Sequence, residues 1–162
     1  MRKLGLVFAI VVCLVGVTGQ ASAATTDTIT VTVSLGEVIS VTLDEPTWSI
    51  GAIAIDFVSS AFPVVATNAG NVDIDLDING ENGLGGWTMA ASVGTDAFRV
   101  TVTPAVIAAF PMTTGGTKMF DALPHTTSNT TSFDLTYNAP SGDTAGPVDQ
   151  GFTITVTASK TP

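Results

Sequence analysis

The chain has 162 residues, of which 12% are charged, with a formal net charge of −9, one cysteine and one histidine. Fourteen acids face five cationic residues, too few lysines and arginines to build a phosphate-binding groove, which argues against nucleic acid and anionic lipid as partners. A single histidine and a single cysteine also exclude a zinc site built from the usual nitrogen and sulfur ligands.

Arg2 and Lys3 precede an apolar run over residues 4–17, and Ala21-Ser22-Ala23 follows. Charged start, apolar middle and small-residue cleavage site are the three parts of a secretory signal peptide, so residues 1–23 are expected to be removed, leaving residues 24–162 as one domain. The run falls short of the ~20 residues needed to cross a bilayer, so no membrane span is expected in the mature chain. Cleavage removes Cys13 with the leader, and Arg99, Lys118 and Lys160 then face all 14 acids, a formal charge of −11. The chain reads as secreted, extracellular or at the cell surface.

Residues 27–35 place Ile29, Val31, Val33 and Leu35 on one face and Thr28, Thr30, Thr32 and Ser34 on the other, the period of a two-faced strand. Gly36-Glu37 interrupts it, Ile39, Val41 and Leu43 continue in phase, and Asp44-Glu45-Pro46 ends the segment. Ile53, Ile55 and Phe57 alternate after Trp48-Ser49-Ile50-Gly51, Pro63 argues against a central strand at that point, and residues 62–67 lead into the Asn68 turn. The organising stretch is residues 65–87, a turn, a strand and a turn. In it Val72, Ile74, Leu76 and Ile78 alternate with Asp73, Asp75, Asp77 and Asn79. Trp87 opens a further strand, and Phe98, Val100 and Val102 alternate in the next. Residues 104–123 show no clear period. Phe133, Leu135 and Tyr137 alternate again, residues 138–151 form a turn-rich connection, and Phe152, Ile154, Val156 and Ala158 close the chain. Seven to nine short strands separated by Gly, Pro, Asn and Asp clusters predict an all-β fold, a single antiparallel sandwich of Ig-like or jelly-roll-like type.

Trp48-Ser49-Ile50-Gly51 and Thr67-Asn68-Ala69-Gly70-Asn71, with Gly86-Trp87, Asp96-Ala97-Phe98 and the closing strand, resemble a loose group of secreted bacterial Ig-like β-sandwich modules. The resemblance spans most of the mature chain, and its motifs are turn and core residues, so it implies fold rather than activity. A weaker likeness links the chain to secreted fibre-forming β-sandwich subunits, an analogy of architecture that does not by itself carry function.

Asp75-x-Asp77-x-Asn79-Gly80 matches the first half of a calcium loop, but Gly86 stands where the bidentate glutamate belongs. Asp75, Asp77 and Asn79 are therefore the candidate metal ligands, against the simpler reading of a solvated acidic face, and calcium is the one cofactor that the sequence offers. His125 lies in a Thr/Ser run with no glycine-framed nucleophile near it, so no catalytic triad is expected and the chain is read as no enzyme. Asn129-Thr130-Thr131 is a sequon in a polar loop.

The expectation is a structural or interaction protein of the cell surface, a candidate extracellular filament subunit joined by β-strand donation. Ile29, Val31, Val33 and Leu35 would be its interaction residues, and copies of itself or other cell-surface components its partners. The competing reading is a carbohydrate-binding or adhesion module, stabilised by calcium, that stacks sugars on Trp48 or Trp87.

Overall fold

The computed structural model describes residues 31–146 and 148–162, and the chain divides into two units, Met1–Leu35 and Gly36–Pro162. In the second unit, β1 (Val41–Leu43), β2 (Phe62–Asn68), β8 (Thr130–Asn138), β5 (Ala97–Pro104) and β4 (Thr88–Met89) form one sheet in that order, with β6 (Phe110–Pro111) on β5. The other sheet is β7 (Thr117–Leu123), β3 (Ile74–Gly80) and β9 (Ile154–Lys160). No helix occurs among the described residues, and none there is long and apolar enough to cross a membrane. The all-β sandwich expected from the alternation is the fold. It departs from expectation in one pairing, since β4 runs parallel to β5, with Thr88 beside Ala97 and Met89 beside Phe98.

Alternation places the core. Ile74, Leu76 and Ile78 of β3 are fully buried against Phe98, Val100 and Val102 of β5 and Phe133, Leu135 and Tyr137 of β8, so one core serves both sheets. Pro63 lies in β2, opposite Asp134 of β8, at a point where the strand is not central. It is tolerated because β1 covers β2 only from Ala66 to Asn68, so at Pro63 the strand has one neighbour and needs no second donor. Residues 52–57, expected to alternate as a strand, form none: Asp56 takes a positive φ of 59° and Ile55 is exposed. β7 arises inside the stretch that showed no period. Its register against β3 shifts between Leu76–Phe120 and Ile74–Leu123, and Ala122 has φ 53°. This bulge breaks the period of two that would have announced a strand.

The expected first strand differs most. Val31, Val33 and Leu35 are 76%, 79% and 88% exposed and form no strand, while Ile29 and the expected signal peptide over residues 1–23 lie outside the described residues. Regular pairing begins only at Val41.

Residues 36–40 are held by the turn between β2 and β3. The Asn71 side chain accepts from Val38 N (2.7 Å) and donates to Gly36 O (2.8 Å), while Asn71 N donates to Val38 O (3.0 Å) and Ala69 N to Ser40 O (3.0 Å). The buried Asn68 side chain donates to Val72 O (2.9 Å) and Leu123 O (3.0 Å) and accepts from Gly70 N (3.0 Å). The turn motif thus ties both sheets and the incoming chain together. A Cβ at Gly70 would overlap the Val38 carbonyl, a backbone atom that cannot swing aside. Gly70→Ala is therefore expected to cost about 1–3 kcal/mol in denaturant titration and to free residues 36–40 from the turn.

Candidate functional site

Beneath β9 the two sheets leave an open groove of about 820 Å³. Its floor carries Phe62 and Val64 from β2 and Leu135 and Tyr137 from β8. One wall is Ile154 and Val156 of β9, and the other is the irregular run from Glu45 to Ile53. Trp48 stacks on Phe62 at 5.2 Å between ring centroids, and Phe152 sits 4.8 Å from Phe98 and 6.0 Å from Tyr137. Burial pushes the Tyr137 phenol up to about 12, so it stays neutral.

The inner faces of β3 and β9 differ. Ile74, Leu76 and Ile78 are fully covered, whereas Ile154, Val156 and Ala158, pointing to the same side, are only half buried. β9 pairs with β3 along seven residues, and among the described residues no strand pairs with its other edge. That edge reads Ile-Thr-Val-Thr-Ala-Ser-Lys, with its single charge at the end. The opposite edge of the sheet, β7, carries the bulge together with Lys118 and Asp121, devices that discourage further pairing. Among the described residues one edge is guarded and the other is bare.

No protein-family model and no curated protein matches the chain. Its chemistry must be read from its own residues.

The candidate metal ligands lie on the outer face of β3, and Asp75 is 5% exposed rather than solvated. Its Oδ2 accepts from Lys118 Nζ (2.8 Å), and its Oδ1 accepts from Ala122 N (3.0 Å) and Thr161 Oγ1 (2.9 Å). Asp77 and Asn79 are half-buried beside Thr157 and Thr155 of β9. A calcium ion here would have to displace the Lys118 ammonium, and among the described residues no three His, Cys, Asp or Glu side chains gather to hold a metal. Asp75 instead ties β3 to β7 and to the residue after β9. The Lys118 hydrogen bond, with those from Ala122 and Thr161, holds its carboxyl down to about 2.

Because that value lies below the ordinary 3.8, the ionised network stabilises the fold fully above about pH 4, and the contribution fades as pH falls towards 2. Asp75→Asn should flatten that part of the pH dependence in thermal melts. Some slope will remain, since His125 and Thr144 hold Asp73 and Asp96 below the usual range as well.

The other sequence candidates are occupied. His125 Nδ1 meets Asp73 Oδ1 at 2.8 Å on the surface, and among the described residues no serine or cysteine is hydrogen-bonded to the ring. Trp87 is 9% exposed, and its indole nitrogen donates to Asp143 Oδ1 at 3.1 Å; the Trp48 ring has one face against Phe62. The Asn129 amide of the sequon donates to Asn68 O at 3.2 Å, so glycosylation there would first have to break a bond that anchors the turn.

Sequence reasoning named the apolar face of residues 29–35 but missed the groove. The groove is assembled from segments far apart in the chain, and its one local signal is that Leu43, Trp48, Ile50 and Ile53 recur across residues 43–53 with no single period.

Proposed function

We propose that the protein is an extracellular structural subunit that assembles with copies of itself by strand donation, residues 27–35 of one copy filling the groove beside β9 of the next. The carrying observation is a matched pair of incomplete surfaces: an apolar groove under a bare strand edge, and alternating Val31, Val33 and Leu35 in solvent. An added strand satisfies the edge through main-chain hydrogen bonds and fills the groove with alternate side chains. Donor and acceptor are different surfaces, so such contacts join head to tail and propagate as an open filament unless a ring closes. The signal-like leader supports export, and the acidic surface keeps unassembled subunits soluble.

Deleting residues 27–35 should give a soluble monomer with a vacant groove. A peptide of residues 27–35 added to that monomer should change the fluorescence of Trp48 saturably, and a scrambled peptide should not. Equal responses to both would reject the reading.

A further inference from the structure

Residues 28–34 read Thr-Ile-Thr-Val-Thr-Val-Ser and residues 153–159 read Thr-Ile-Thr-Val-Thr-Ala-Ser, identical at six of seven positions. The second copy contributes nearly all of β9, which turns Ile154, Val156 and Ala158 towards the core and its threonines outward. The first has the same two-faced pattern, so the donor segment is close to a duplicate of the strand beside which the open site lies.

On the strand-donation reading above, we infer the polarity and register of the joint: residues 27–35 of a second copy lie antiparallel to β9, centred on Val31 opposite Val156. The ends of the two segments select this arrangement. It sets Ile29 against Ala158, Val33 against Ile154 and Leu35 against Phe152 on the apolar side, and brings Asp27 opposite Lys160. Every apolar residue then faces an apolar one across the strands, and the one pair of charges is opposite in sign, an arrangement that favours neighbouring strands. The parallel in-register alternative sets Asp27 against Phe152 and Leu35 against Lys160. Sliding the antiparallel pair by two residues sets either Asp27 against Ala158 or Ile29 against Lys160. Each alternative places a charge opposite an apolar residue.

The same geometry makes the joint intermolecular. Gly36 is bonded to Asn71, and the Glu37 carboxylate meets the Lys160 ammonium, so a chain's own segment enters at the Lys160 end of β9. Leu35 would have to reach Phe152, eight residues or about 26 Å along the strand, yet two peptide units allow it no more than about 7 Å from Glu37. A chain's own segment can approach β9 only in the parallel sense; an antiparallel donor is another copy.

Cross-linking of the full chain with Cys13→Ser distinguishes these arrangements. Thr32→Cys with Thr155→Cys places thiols on directly opposed outward positions of the antiparallel register, and oxidation should give a ladder of covalent oligomers that collapses on reduction. Thr30→Cys with Thr155→Cys, adjacent in the parallel arrangement, should give at least ten-fold less. The reverse pattern, or a compact intramolecular monomer from the second pair, overturns the register. Sedimenting assemblies that neither pair cross-links also overturn it and leave strand donation standing, whereas the absence of any assembly overturns strand donation itself.

Discussion

Replacing Val31 and Val33 together by aspartate is expected, on the strand-donation proposal, to leave residues 24–162 monomeric at concentrations where the unaltered protein would sediment as assemblies. Each valine buried in the groove contributes about 1.5–3 kcal/mol relative to solvent, so the pair supplies at least about 3 kcal/mol, a factor of roughly 100 in affinity. The aspartates add a desolvation penalty, because a carboxylate entering that groove meets Phe62, Leu135 and Val156 rather than a cation. Both valines are more than three-quarters exposed within the subunit. The unfolding midpoint of the monomer should therefore barely move. Loss of assembly with an unchanged melt marks these side chains as a joint; a melt lowered by several degrees with assembly retained would mark them as core.

Leu76→Ala is expected to do the opposite. Leu76 is fully buried at the middle of β3, between β7 and β9, and its side chain faces the core shared by both sheets. Truncation removes three carbons from a site hemmed in by two ladders that cannot easily collapse onto the void, a cost of about 2–5 kcal/mol. The thermal midpoint should fall by roughly 10 °C. Assembly should persist below that temperature, since Leu76 is not among the residues lining the groove. A shift under two degrees would mean that β3 is not the centre of the sheet.

These two substitutions mark the limits of what alternation can reveal. Where one face of a strand is buried along its whole length, as at Ile74 to Ile78, Phe98 to Val102 and Phe133 to Tyr137, the period of two survives in the sequence and the strand is legible. At β7 the bulge around Asp121 and Ala122 changes which residues face inward, and the strand disappears from the pattern. Residues 31–35 alternate as cleanly as any strand yet stand in solvent; periodicity reports a face that can be buried and says nothing about which chain buries it. Asp75 shows a similar gap. Its place in the alternation predicts a wet residue, and only the approach of Lys118 and Thr161 from β7 and from the residue after β9 makes it a buried clasp instead. Of the two surfaces in the proposed joint, residues 29–35 were therefore readable, because they form a continuous segment. The groove was not, because Trp48, Phe62, Leu135 and Ile154 meet only after folding.

The most direct measurement is analytical sedimentation with negative-stain microscopy on residues 24–162, beside the same protein lacking residues 27–35. Strand donation predicts filaments from the first and a single monomeric species from the second. A monodisperse monomer from both, across the concentrations at which secreted filaments form, would contradict it and return residues 27–35 to the subunit's own fold.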